Sequence, residues 1–431
     1  MRSTRVALTL TLALLAAACT GEKTPEAQQT GSEGPVIVVM WHGYTGIEAK
    51  VLKAMANDYS KEHPGVVISP FFYGNSSYAL QKLETALAGG VYPDISYLYG
   101  AWGPNIAQSP RLVALNDYVE NDTEYDWQDF WEVERSVATV DGKIVGIPAL
   151  VDNLALVYNK DLFDDAGLGY PSEDWTWDDF RDAAKALTDP AKKQFGWSIY
   201  GDASDDTTWR FMPFLWAAGG DLLSEDNSEA VFNQEPGLEA LTLLGQMANE
   251  DESIYLDMGD GTSFGLFTSG HIAMMSTGPW DLASLKESGV DFGVQILPAG
   301  PSGQHATISG PDNWVVLDNG DARRSAAIDW LKWYSAPEQV MRWSLETGDL
   351  PIRQSVSDSP DYEKYLQEYP GIDVWVANEA NAIKHLPQVP QYPLISEAIG
   401  NAVASVLLGA ATPQEALDAA AQKVNSDLAS G

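Results

Sequence analysis

The chain has 431 residues, 45% hydrophobic and 10% aromatic, which is enough apolar material for large cores and a length that suggests two or three domains. A formal net charge of −36, from 61 acidic against 25 basic residues, opposes charge-driven binding to nucleic acid or to an anionic membrane surface. Cys19 is the single cysteine, so an intramolecular disulfide is excluded.

The N-terminus carries Arg2 and Arg5, an apolar run from Val6 to Ala18, and then Cys19. This is the layout of a secretory signal and is too short to cross a bilayer as a mature helix. Ala16, Ala17 and Ala18 before Cys19 resemble a bacterial lipobox, which implies lipidation of Cys19, although Ala16 replaces the usual leucine. The alternative is a soluble exported chain whose cysteine is removed or idle. Residues 20–34, "TGEKTPEAQQTGSEG", are polar and aperiodic and read as a tether. The chain is therefore expected outside the cytoplasm, held at the cell membrane by a lipid.

"VIVVMW" (36–41) reads as a buried strand, followed by the glycine-rich turn "HGYTG" and an amphipathic helix over about 47–61 with Val51, Leu52, Met55 and Tyr59 on its apolar face. "VVISPFFY" gives a second strand. "SSYALQKLETALAGG" gives a helix capped by Ser76 or Ser77 with Gly89 past its end, and "PDISYLYG" a third strand. This alternation argues for a mostly parallel sheet in an α/β domain. Ligands of such sheets gather beyond the carboxyl ends of the strands, which groups His42, Tyr44, Gly74 to Ser77 and Tyr99 to Trp102 at one crevice. "ATVDGKIVGIPA" reads as a hairpin turning at Asp141-Gly142. From Trp175 the chain is largely helical, α/β character returns near "GHIAMMSTGPW" and "DFGVQILPAG", and a last helical region covers roughly 396–428.

Six segments in this order, "LQKLETALAGGVYPDI", "DGKIVGIPALVDNLALVYNKDLFDDAGL" with "WTWDDFRDAAKALTD", "FTSGHIAMMSTGPWDL", "FGVQILPAGPSG", "AAIDWLKWYSAPEQ" and "TGDLPIRQSV", carry a resemblance that covers nearly everything after the tether. The chain resembles the extracellular solute-binding proteins of bacterial ABC importers, in the carbohydrate-binding class typified by maltose-binding protein. The resemblance implies a two-lobed type II binding-protein fold, with lobe 1 at 35–149 plus 299–350 and lobe 2 at 151–297 plus 352–431. Three crossings are then expected near Ala149 to Val151, Leu297 to Ala299 and Leu350 to Ile352. It also implies a monomer that closes on a sugar and presents it to the transmembrane subunits of an ABC permease.

On that resemblance Asp152, just past the first crossing, accepts sugar hydroxyls, since an ionised carboxylate is acceptor only; a hinge turn capped by Asp-Asn is the plainer reading. Alternation points Asn153 the other way and leaves its role open. Trp280 in "TGPWDL" and Trp209 match cleft aromatics whose flat rings would cover the C–H face of a pyranose, and Trp102 and Trp216 are further candidates. Trp175, Trp177, Trp330 and Trp333 sit at helical spacing and are assigned to packing. "SGPDNWVV" stands where the family often shows a glycine pair before an apolar residue, and Pro311 and Asp312 depart from that pattern; either Gly310 by its backbone and Asp312 or Asn313 by a side chain meet the ligand, or the stretch is only a turn. Arg353 in "LPIR" matches a cleft position of the family and is otherwise an ion-pair partner or a solvated arginine. His42 reads as ligand contact or structural hydrogen-bonder.

"GTSFG" (261–265) has the letters of a nucleophile elbow but follows a loop-like segment, and is read as chance. The five histidines are scattered, and no zinc, EF-hand or Walker spacing occurs, so no cofactor is expected. A secreted glycoside hydrolase, with two carboxyls flanking a bond, is the alternative from another class. A binder of glycerol phosphate, phosphodiester or polyol is the alternative within the same fold.

Overall fold

The computed structural model describes residues 34–74, 78–259 and 261–430. The expected signal peptide with Cys19, tether residues 20–33, and Ser77 lie outside the described residues. Among the described residues twelve strands run in chain order as β1 (Val36–His42), β2 (Val66–Phe72), β3 (Ile95–Tyr99), β4 (Thr139–Val140), β5 (Lys143–Ile144), β6 (Ile147–Leu150), β7 (Ala155–Asn159), β8 (Phe195–Tyr200), β9 (Ile254–Asp257), β10 (Ile272–Thr277), β11 (Phe292–Gln295) and β12 (Asp312–Val316). They form two five-stranded sheets, β2-β1-β3-β12-β6 and β11-β7-β10-β8-β9, and the small ladder β4-β5.

In the first sheet β1 pairs parallel with β2 and β3, as the strand–helix–strand alternation requires, while β12 enters antiparallel between β3 and β6. Helix Gly46–Glu62 buries Val51, Leu52, Met55, Ala56 and Tyr59, the expected apolar stripe. The second helix is Ala79–Gly89, with Gly90 left-handed at φ 72°, so the cap falls one residue later than the sequence reading placed it. Asp141 and Gly142 both have positive φ, the twist that a two-residue hairpin turn needs.

The second sheet is parallel across β10, β8 and β9 and antiparallel at β10-β7 and β7-β11. All five residues of β7 are buried, which is why its sequence is a continuous apolar run rather than an alternating one. Helices Asp205–Ala217, Glu235–Asn249, Tyr392–Leu407 and Pro413–Ser430 pack together on this half. The single C-terminal helical region expected from sequence is thus two helices, broken around Gly409 at φ 68°. "GTSFG" opens helix Thr262–Thr268.

The chain passes between the halves beside the first crossing. Val151 bridges Leu350 and Asn153 bridges Ser309. The Gly310 N–H donates to the Asp152 carbonyl at 2.9 Å, and Thr307 Oγ1 donates to the Leu154 carbonyl at 2.7 Å. Two expected crossing points move accordingly. Ala299 still belongs to the second half, since it exchanges backbone hydrogen bonds with Trp175 and Trp177, so the second crossing runs through 307–310. Arg353 still belongs to the first half, where it bridges Phe130; the chain regains the second half only at Gly371–Trp375, with the Trp375 indole donating to the Thr277 carbonyl at 3.3 Å.

Candidate functional site

A cavity of about 440 Å³ lies between the two halves, within the size range of small-molecule sites. The first half lines it with the Gly43–Thr45 turn after β1, Glu48, Phe72, Tyr97 and Tyr99 of β3, Gly100 and Ala101 just after it, and Pro311 with Asp312. The second half contributes Tyr200, Trp280, a segment near His385, and the first two turns of helix Asp205–Ala217 with Asp205, Asp206, Trp209 and Arg210. Asp152, Ser309 and Gly310 come from the crossings. The cavity thus sits at the carboxyl ends of strands β1, β3, β8 and β10, where open sheets gather ligands.

Trp209 and Trp280 face each other with ring centroids 5.9 Å apart and planes tilted by 53°. Trp280 sits in a short turn, Pro279–Asp281, and folds back over Gly278; a Cβ there would lie 2.0 Å from the indole. Gly310 is similarly constrained: a Cβ would lie 2.4 Å from Asp152 Oδ1 and 3.1 Å from the Trp209 ring. The two glycines hold open the space that the indoles and the carboxyl share.

The polar groups differ in how well they are satisfied. Asp312 accepts from the Tyr97 hydroxyl and from the Gly100 N–H at 3.2 Å. Asp205 accepts from Ser396 and from the Tyr392 hydroxyl, and burial pushes its carboxyl up to about 6. Asp152 is 7% exposed, and its Oδ1 has no hydrogen-bond partner. Burial, then repulsion from Asp312, Glu379 and Asp349, drives its carboxyl well above the usual range, against the pull of Arg210. Arg210 lies 3.6 Å from Asp206 and stacks over the Tyr200 ring at 4.2 Å.

Of the residues singled out from sequence, the structure brings Asp152, Trp209, Trp280, Gly310, Asp312, Tyr44 and Tyr99 to the cavity lining. Others lie elsewhere. Asn153 points into a buried network, donating to the Trp375 carbonyl at 2.9 Å and Glu379 at 2.6 Å and accepting from Asn378 at 2.8 Å. Asn313 is buried one residue along β12 from Asp312, so the pleat turns it to the opposite face. His42 is buried beside Phe72, and burial lowers its pKa. Trp102 packs behind Tyr99 at 4.6 Å, and Trp216 lies in the core two helical turns, about 10 Å, from Trp209. Arg353 is 1% exposed and belongs to an ion-paired socket in the first half, so its assignment to the cleft is corrected.

Sequence reasoning missed Glu48, Phe72, Tyr97, Tyr200, Asp205, Asp206, Arg210 and His385. Acidic residues in a helix's first turn read as ordinary dipole partners, which masked Asp205 and Asp206. Among the described residues no group of three or more His, Cys, Asp or Glu side chains is placed to hold a metal, and no helix is long and apolar enough to cross a membrane.

Comparison with known proteins gives a consistent result. The chain is 25% identical to the sn-glycerol-3-phosphate-binding periplasmic protein of Escherichia coli O1:K1, over 99% of this chain and 97% of that one. A cyclic α-maltosyl-1,6-maltose binding protein from Arthrobacter globiformis matches with 32% identity and a TM-score of 0.75, covering 92% of this chain and 100% of its own. An ABC transporter solute-binding protein from Thermotoga lettingae, solved with α-D-tagatose, matches with 26% identity and a TM-score of 0.82 over 91% and 100%. The family model for bacterial extracellular solute-binding proteins spans residues 54–370, and with two sheets flanking one cavity the chain belongs to that family and has its two-lobed fold.

Proposed function

We propose that the protein captures a saccharide between its lobes and delivers it to an ABC permease, held at the outer face of the cell membrane by a lipid on Cys19. The observation that carries the ligand class is the indole pair Trp209 and Trp280 beside the partnerless Asp152 oxygen in one cavity. The rings suit the C–H face of a pyranose and the carboxyl suits its hydroxyl rim. The Arthrobacter and Thermotoga relatives, whose stated ligands are sugars, support the same class. Sugar meets one open lobe first, and closure adds the contacts of the other. Moving that equilibrium from 1:99 to 99:1 requires about 5.5 kcal/mol of differential binding, which micromolar affinity accommodates. The chain acts as a monomer and leaves its ligand chemically unchanged; ATP hydrolysis on the permease's partner subunits drives transport.

A phosphate ester is the second reading, favoured by the Escherichia coli relative. The cleft opposes it. Arg210, its cation, is already engaged by Asp206 and stands among five lining carboxyl groups, and Arg353 lies elsewhere. Calorimetry against neutral mono- and disaccharides, glycerol 3-phosphate and glycerophosphodiesters decides between them. Saccharide binding alone is expected, and selective binding of a phosphate ester would remove the sugar reading. Release of reducing sugar from a bound oligosaccharide would instead make the protein a hydrolase.

A further inference from the structure

We infer that the cleft is built for a saccharide bearing a protonated amine, an amino sugar rather than a neutral one; this rests on the saccharide reading of the same site. The argument starts from the charges. Five carboxyl groups line the cavity, Glu48, Asp152, Asp205, Asp206 and Asp312, against the guanidinium of Arg210 and the imidazole of His385. Among the described residues no lysine lines the cavity. Arg210 is committed to Asp206 and the Tyr200 ring. Asp312 has its donors, but Asp152 Oδ1, buried and lining the cavity, has none.

A second rank of carboxyls stands behind the first. Glu134 is fully buried with both oxygens unpartnered, and Asp281, Asp349 and Glu379 flank the same region. Buried carboxylates require a compensating cation or a proton. Without a ligand the proton does this: burial pushes Asp312 to about 8, Glu379 to about 7, and Asp281 and Asp349 to about 6, and raises Glu48 and Asp152 well above the usual carboxylate range. An ammonium group beside Asp152 would supply the charge instead. The aromatic walls favour the same ligand, because ring faces attract cations. So does the whole-chain charge of −36, which steers cationic solutes inward.

The two ligand classes differ in the sign of their pH dependence. An ammonium sugar displaces protons from the carboxyls, so its affinity rises with pH from about 5 to about 6.5, while the amine stays charged. A neutral sugar that binds the protonated cleft gains nothing or weakens over that interval. The test is calorimetry on the mature chain with pairs differing in ammonium for hydroxyl: glucosamine and glucose, galactosamine and galactose, the glucosamine disaccharide and cellobiose. The expected result is a preference of at least about tenfold for the amine in one pair, with proton release seen in buffers of different ionisation enthalpy. Asp152→Asn should bring that ratio towards one, and an unchanged ratio would remove Asp152 from the account. If that variant fails to fold, the wild-type ratio and the sign of the pH dependence still decide. Equal or tighter binding of the hydroxyl sugar in every pair that binds would overturn the inference and leave the saccharide reading standing. Silence of all pairs and of the wider neutral panel would remove both.

Discussion

Two buried charged regions of this molecule look alike in sequence and behave in opposite ways. Around Arg353 every strong group is satisfied: the guanidinium donates to the carbonyls of Ser335, Asp126 and Tyr125, pairs with Asp129 at 3.2 Å, and lies 4.0 Å over the Phe130 ring. Around Asp152 the groups are crowded but incompletely partnered, and they line a cavity. A closed network fixes a fold, because removing a member strands the others. An open one is held in place by the rest of the protein and waits for a partner from solution. Stability and affinity should therefore respond to different residues.

The largest effect should be in the socket. Arg353→Met takes the guanidinium from three carbonyls and from the Asp129 ion pair, and is expected to cost about 3–5 kcal/mol of unfolding free energy in denaturant titration. The folded fraction should bind ligand as the wild type does. Loss of affinity at unchanged stability would erase the contrast and return Arg353 to the cleft.

The next effects should fall on binding alone. Trp209→Ala and Trp280→Ala should each weaken ligand by roughly 1–3 kcal/mol, the order expected for losing the apolar area that an indole covers. Asp152→Ala should cost affinity of about 1.5–3 kcal/mol, as for a charged hydrogen-bond partner. It should leave the melting temperature of the ligand-free protein unchanged or raised, since it deletes a buried carboxyl whose Oδ1 has no donor. A large drop in melting temperature would show that Asp152 belongs to the closed class.

Asp205 sharpens the comparison through pH. Its folded pKa, about 6, stands above the ordinary carboxyl value, so the folded state binds the extra proton. Its contribution to stability is complete below about pH 4 and is lost as pH rises to about 6. The melting temperature of the ligand-free wild type should fall across that window relative to Asp205→Asn. Parallel curves would mean that burial does not penalise this carboxylate.

Much of the fold was legible because periodicity is local. The β1 to β3 alternation, the stripe on helix Gly46–Glu62 and the Asp141-Gly142 turn each depend on residues a few positions apart. The cleft was legible where a polar residue broke an apolar run, as Asp152 does between β6 and β7. What stayed hidden was set by distant partners. Arg353 meets Asp129 across 224 residues, and no local pattern separates that arrangement from a cleft arginine. Asn153 is ambiguous in sequence for the same reason, since its partners Trp375, Asn378 and Glu379 arrive from more than 220 positions along the chain.

The smallest expected effect tests whether the open network is held open by design of the backbone. Gly310 donates its N–H to the Asp152 carbonyl, and its missing side chain is what lets the carboxyl and the Trp209 ring stand where they do. An alanine methyl would meet Asp152 Oδ1 at 2.4 Å, a contact that must be relieved, and the end of the Asp152 side chain moves more cheaply than the crossing strand. Gly310→Ala should therefore displace the carboxyl into the cavity, lowering affinity by about tenfold, or about 1.4 kcal/mol, with little change in melting temperature. Equal loss of stability would mean that the crossing moved instead, and that Asp152 is as firmly fixed as Arg353.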